Sequence, residues 1–219
     1  RALLPEIAAR GHLPLLVGGT GLYVSALLEG FDFARQAWSP QIRRRLSEEA
    51  TAAGVGALAE RLAQLAPDVA AHTDLRNPRR VLRALERASA GDLHRPGAVP
   101  YGGPVTVIGL WMTQEALDAR IAARAEGMFA GGLLAETRRL LDAGHDRSLP
   151  SLSGHGYREA AGVLDGSLSE PEAIRATTLR VRRYARRQMS WFRRDPRVRW
   201  LPADEPRLVD TALALLPAS

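Results

Sequence analysis

Two β-rich apolar runs, Leu13–Val17 and Val105–Trp111, are the tightest constraint on the fold. The first passes through Pro14 into Gly18-Gly19-Thr20-Gly21 and then a helical pattern, Leu22–Leu28, stopped by Gly30. A strand, a glycine turn and a helix start in that order suit an α/β fold with its site at the strand's C-terminal end. The runs lie roughly 90 residues apart, too far for a plain crossover helix, so a helical insertion is expected between them. The intervening sequence agrees. Ser39-Pro40 opens helices at Gln41–Ala53 and Gly56–Leu65 with Gly54 between them, and Asn77-Pro78 opens another at Arg79–Ser89. Gly91–Pro104 is rich in Gly and Pro and reads as a linker. The expected organisation is an α/β core at 1–36, a helical insertion with its linker at 37–104, and the rest of the core at 105–219.

In the last part, Thr113 is placed to cap a helix over Glu115–Met128, continuing past Gly131-Gly132 to Ala143 with Gly144 as its stop. A long helix over Ser169–Arg194 follows, with acids in its first turn. Val198–Leu201 reads as a short edge strand and Glu205–Leu216 as a final amphipathic helix. A hydrophobic fraction of 46% is enough for a proper core. The absence of cysteine excludes disulfides and thiolate metal sites. No apolar run reaches membrane-spanning length and no signal peptide is visible, so a cytoplasmic location is expected. All thirty basic residues are arginine, which excludes a lysine Schiff base and a GxxxxGK[ST] phosphate loop within these 219 residues. The chain opens at Arg1 inside an apparent helix, and sequence preceding it is expected.

Charge is concentrated in Ile174–Trp200. Ten arginines against one acid, Asp195, give this stretch +9, whereas the whole chain carries +6. Helical phasing places Ile174, Thr178, Val181, Ala185, Gln188 and Phe192 on one inward stripe, with Arg182, Arg186 and Arg193 on one flank and Arg183, Arg187 and Arg194 on the other. Tyr184 and Trp191 are seven apart and share a side. Like charges at this spacing repel, a cost that a bound anion offsets. Arginine forks suit phosphate, and rings among them suit unpaired bases, so the stretch points to nucleic acid. A solvated charged face is the plainer alternative. A membrane-surface helix is disfavoured by the weak apolar stripe.

Three smaller features each have two readings. Gly18-Gly19-Thr20-Gly21 is either a simple tight turn or a place where backbone amides approach a phosphate. Arg120 and Arg124, four apart on one helix, either pair with Glu115, Asp118 or Glu126 or clamp a diphosphate. His155, between two glycines, reads as structural or solvent-facing. No acid and histidine spacing suggests a metal cage.

The blocks LPLLVGGTGLYVSALLEG, NPRRVLRALE, RIAARAEGMFAGGLLAE, SGHGYREA and YARRQMSWFRRDPRVRWL, in that order, closely resemble the bacterial tRNA dimethylallyltransferases, or tRNA isopentenyltransferases. The resemblance implies a P-loop-kinase-like parallel sheet core with an all-helical insertion that grips the anticodon stem-loop. It implies transfer of a dimethylallyl group from dimethylallyl diphosphate, with Mg²⁺, to N6 of the adenosine 3′ of the anticodon, after that base is flipped out of its stack. By position, Thr20 falls at the reaction centre and Arg124 on the diphosphate, with Gly18, Gly19 and Arg120 beside it. Arg43, Arg79, Arg80 and Arg83 fall in the tRNA-gripping insertion. Ser153, Gly156, Tyr157 and Arg158 match one further tRNA-contact segment, and Arg186, Arg187, Gln188, Ser190, Trp191 and Arg193 another.

Several departures stand out. The family's phosphate loop and its Asp-Ser-x-Gln segment would precede Arg1, so the 219 residues alone are expected to be inactive. Gly154-His155-Gly156-Tyr157 stands where the family often has Ala-Ile-Gly-Tyr. Ser190 replaces a usual threonine and Arg186 a usual lysine. A monomer is expected. The alternatives are an adenylate prenyltransferase acting on free nucleotide and a non-catalytic RNA-binding module.

Overall fold

The computed structural model describes residues 1–31, 39–92 and 99–217. They form an α/β chain that divides into two compact units, one made of 1–18 and 22–102 and the other of 19–21 and 103–219.

The first unit contains α1 (Leu3–Ala9), most of α2 (Gly21–Glu29), α3 (Pro40–Leu65), α4 (Pro67–Ala71) and α5 (Pro78–Ser89). The Arg1 guanidinium donates to the Leu27 and Leu28 carbonyls at 2.7 and 3.0 Å, satisfying acceptors at the C-terminal end of α2. Ser39 caps α3 by accepting the Ile42 N–H. At Gly54, φ 80° and ψ 166° break α3 into two helical segments, where the sequence places the division. Asn77 caps α5 by accepting the Arg79 and Arg80 amides at 3.1 and 3.4 Å. Leu46, Leu58 and Leu62 of α3 and Val81 and Leu85 of α5 make the core. Beside it lies a buried carboxylate, Glu86, only 1% exposed.

Leu13–Val17 is not a strand. Residues 12–20 have no regular structure, and Leu13, Leu15, Leu16 and Val17 are all exposed, Val17 by 83%. A strand exists through its ladder bonds, and no described strand pairs with this run. Pro14 also removes a donor from it. The composition of the run is that of a sheet core, but composition without a neighbour makes no sheet. The expected domain boundary at residue 36 and part of the 91–104 linker, residues 93–98, fall outside the described residues.

In the second unit β1 (Val107–Trp111) and β2 (Val198–Pro202) pair in parallel, with Val107 opposite Val198 and Gly109 opposite Trp200. Gly109 is required there, because a Cβ would lie 2.7 Å from the Trp200 ring. Four helices fill the crossover: α6 (Gln114–Ala130), α7 (Leu133–Asp142), α8 (Tyr157–Leu164) and α9 (Glu170–Phe192). Thr113 caps α6 as expected, accepting the Ala116 amide. The helix does not continue through Gly131-Gly132. Gly132 turns left-handed at φ 97°, and α7 starts a new direction. Phe129, Leu133, Ala160 and Ala173 join α6, α7, α8 and α9 in one core. The final helix, α10, is shorter than the pattern suggests and covers only Leu208–Leu213.

Candidate functional site

The site is built on α9. Its start is fixed by the Glu172 carboxylate, which accepts from the Ser169 amide and hydroxyl at 2.8 and 2.6 Å. Glu170 and Glu172 in the first turn also complement the helix dipole. The buried face differs from the expected stripe. Ala173 and Thr177 are the buried residues, whereas Ile174, Thr178, Val181, Ala185, Gln188 and Phe192 are each half-buried. The core touches the helix one residue earlier than the phasing indicates.

Further along, α9 meets the glycine turn. The Gln188 side-chain amide donates to the Gly19 carbonyl at 2.8 Å. The hydroxyls of Thr20 and Tyr184 lie 3.4 Å apart. The Trp191 indole sits against Gly21, where a Cβ would overlap it. The Tyr184 ring is flanked by His155 at 5.1 Å between centroids and by the Arg187 guanidinium at 5.8 Å. The family resemblance implies that Gln188 and Trp191 are RNA contacts, and both side chains touch the turn. Sequence spacing had put Tyr184 and Trp191 on one side. Nothing local could show that this side faces residues 164 or more positions away.

His155 is held below its ordinary pKa. Desolvation of the ring lowers it most, followed by the charge of Arg180; Glu159 opposes, and Arg187 and Arg124 lower it further. The shift favours the neutral imidazole, and Arg124 lies near enough to act on it. Arg124 and Arg120 are exposed on α6. The expected pairing with Asp118 does not occur, because Asp118 bonds Arg182 at 3.0 Å. Among the described residues neither Arg120 nor Arg124 has an ion-pair partner.

The arginines of α9 divide into two groups. Arg180 binds Glu159 at 2.8 Å and the Ser153 carbonyl at 2.7 Å, Arg182 binds Asp118, and beyond the helix Arg197 binds Asp195 at 2.8 Å. Arg183, Arg186 and Arg187 of α9, and Arg193 and Arg194 just past its end, are exposed and have no carboxylate partner among the described residues. Arg186 and Arg193 line a cavity of about 350 Å³ with Gln114, Leu117 and Met189, and Ser190 opens on the same cavity.

The remaining expected contacts are placed as follows. Ser153 donates its hydroxyl to the Pro150 carbonyl at 2.6 Å, and Tyr157 donates to Glu136 at 2.6 Å, which raises the phenol's pKa. Gly156 is a left-handed cap of α8, and its missing Cβ makes room for Leu133 and Met128. Arg158 is exposed, and so is Gly18, where a Cβ would meet nothing. In the first unit Arg43 and Arg83 converge on Glu86 at 2.5 and 2.8 Å. Burial pushes the Glu86 carboxyl up, but hydrogen bonds from the two arginines and the Ser39 amide outweigh it and hold it below the usual carboxylate range. Arg80 is 3.9 Å from Asp74, and Arg79 is exposed.

The family model for IPP transferase matches residues 1–195. A protein named tRNA dimethylallyltransferase from a Nocardioides species is 42% identical over all of this chain and 71% of its own length. One of the same name from a Roseiflexus species is 42% identical over 98% of this chain and 72% of its own. The crystal structure of the Bacillus halodurans tRNA isopentenylpyrophosphate transferase superposes with a TM-score of 0.61 at 35% identity, covering 96% of this chain and 68% of that one. A Staphylococcus epidermidis structure named as the tRNA delta(2)-isopentenylpyrophosphate transferase gives the same score at 26% identity. With the family model matched over residues 1–195 and relatives 42% identical along nearly its whole length, the chain belongs to the IPP transferase family.

Proposed function

We propose that this chain carries the tRNA dimethylallyltransferase reaction, moving a dimethylallyl group from dimethylallyl diphosphate to N6 of the adenosine 3′ of the anticodon. One observation carries the reading: the Thr20 turn rests on the helix that, with the two residues after it, presents five exposed arginines with no carboxylate partner among the described residues. In the reaction the bond from C1 to the diphosphate oxygen breaks, C1 bonds to N6, the diphosphate leaves with the bonding pair, and N6 passes a proton to water. Arg124, a guanidinium with no carboxylate partner among the described residues, takes the leaving diphosphate, where charge builds as the bond breaks. Arg120, one turn away, adds a second cation, and the Thr20 hydroxyl orients the accepting amine. Keeping His155 neutral leaves the charge on that side to the arginines, which bind anions whatever the pH.

The exposed arginines of α9 take the RNA backbone. In the insertion, Arg79 and Arg80 are better placed for phosphate than Arg43 and Arg83, which are held by Glu86. A core of the P-loop-kinase type is part of the proposal, supported by the parallel β1–β2 pair. No three carboxylate or imidazole side chains converge on an ion among the described residues, so these residues supply no cage for the Mg²⁺ that accompanies the diphosphate. No helix among them is long and apolar enough to cross a membrane.

The test incubates the full-length gene product with dimethylallyl diphosphate, an unmodified tRNA and an equal amount of AMP, and identifies the prenylated nucleoside by mass spectrometry. Product on tRNA alone supports the reading. Product on AMP assigns the free-nucleotide reaction, and RNA binding without either product leaves an RNA-binding module.

A further inference from the structure

We infer that Tyr184, Gln188 and Trp191 act together as a clamp that positions Thr20, so that α9 sets the reaction centre as well as facing the RNA. The inference rests on the function proposed above. The three side chains are spaced i, i+4 and i+7, one stripe of a helix. They meet three consecutive residues: Gln188 on Gly19, Tyr184 on Thr20 and Trp191 on Gly21. Three side chains on successive turns of the helix thus meet three consecutive residues of the turn.

The glycines explain how the helix comes so close. A Cβ on Gly19 would overlap the Gln188 amide, and one on Gly21 would overlap the Trp191 indole. Glycine on both sides of Thr20 lets α9 reach the backbone, and leaves Thr20 as the one side chain the turn presents. The Gln188 bond fixes more than position. In a planar trans peptide the carbonyl of one residue and the amide of the next point in opposite directions. Holding the Gly19 carbonyl on α9 therefore aims the Thr20 N–H away from the helix, where it can meet a ligand. Tyr184 is itself held between His155 and Arg187, so its hydroxyl has a defined place beside that of Thr20. Two of the clamp side chains are set back from the polyanion face, and the third, Trp191, is 44% exposed. Arg183, Arg186, Arg187, Arg193 and Arg194 are exposed, whereas Tyr184 and Gln188 are half-buried. Tyr184, Gln188 and Trp191 are positioning residues and touch the substrate only through Thr20.

The test uses Tyr184→Phe, which keeps the ring, and Gln188→Met, which keeps length without a donor or a charge, in the full-length gene product. Each lowers kcat by about 3- to 10-fold, the loss expected for one net hydrogen bond. The Kd of an anticodon stem-loop RNA is unchanged. Amide hydrogen exchange at residues 19–22, measured without substrate, speeds up in both. A loss that appears in RNA affinity with kcat intact would make Gln188 an RNA contact and overturn the clamp, as would unchanged exchange at 19–22. The exchange measurement does not depend on turnover. If the wild-type enzyme fails to prenylate tRNA while exchange still responds, the proposed reaction falls and the clamp stands.

Discussion

Replacing Arg183, Arg186, Arg187, Arg193 and Arg194 together with glutamine tests how α9 meets RNA. Ten arginines lie in Ile174–Trp200, but Arg180, Arg182 and Arg197 are committed to Glu159, Asp118 and Asp195. Arg175 sits near the opposite end of the helix, beside Glu172. Arg199 lies on β2, which leaves the five exposed arginines Arg183, Arg186, Arg187, Arg193 and Arg194. Each phosphate neutralised adds roughly 0.7 to 0.9 to the slope of log K against log salt, so these five account for a slope of about −3.5 to −4.5. Between 50 and 200 mM salt that share alone weakens binding roughly 100- to 500-fold. The assay is fluorescence anisotropy of a labelled anticodon stem-loop across that range, for the wild type, the five-arginine variant and a variant with Arg180, Arg182 and Arg197 changed to glutamine. The five-arginine variant should lose the stated slope and the paired-arginine variant less than about 1 unit. The five exposed changes should not unfold the helix. Removing the Arg183–Arg186 and Arg183–Arg187 repulsions stabilises it by about 0.4–1 kcal/mol. A slope change below about 2 units in the five-arginine variant, or an equal change in the other, would refute the division into bound and available arginines.

Arg124→Ala should reduce kcat by about 100-fold, the scale for losing one donor to a developing anion. Removing that charge also moves the His155 pKa upward, which an NMR titration of the imidazole reads directly. Glu86→Gln should destabilise the α3–α5 pair by about 1–2 kcal/mol at pH 7, discounted because Arg43 and Arg83 reach solvent. The Glu86 pKa is depressed on folding, so its stabilisation is present above the ordinary carboxyl value near 4.5 and is lost as pH falls through the folded value. Hydrogen exchange of α3 and α5 should therefore separate the two proteins at pH 7 and converge in acid. Gly156→Ala should cost about 2–4 kcal/mol by urea unfolding of the second unit, from the left-handed backbone and the overlap with Leu133 and Met128.

The local signals of the sequence were reliable where the physics is local. Ser39, Asn77 and Thr113 cap the helices they precede, and Gly54 breaks α3, because caps and left-handed turns depend on a few adjacent residues. Leu13–Val17 failed because a strand is a property of its neighbours. Candidate site residues could be named from the sequence, but not their arrangement. Thr20, Arg124 and the arginine stretch could be named from sequence. The commitment of Arg43 and Arg83 to Glu86, and of Asp118 to Arg182 in place of Arg120 or Arg124, required the packing. In an arginine-rich chain, counting charges overstates the binding surface, since every buried or half-buried carboxylate claims its share of guanidinium groups.

One helix serving two purposes has a cost that the sequence records. A stripe of aromatic and amide side chains facing the turn leaves little apolar surface to bury, and α9 fully buries only Ala173 and Thr177. Its hold on the second unit comes instead from ion pairs that reach across it, Arg180 to Glu159 on α8 and Arg182 to Asp118 on α6. Arg180 and Glu159 are one-third and 6% exposed, so this pair lies where charge attraction is less screened than at the surface. Removing either member leaves the other without its partner in a partly dry site. The same arginine type proposed to meet RNA thus also ties α9 to α6 and α8, and the two roles differ only in whether a carboxylate stands within reach.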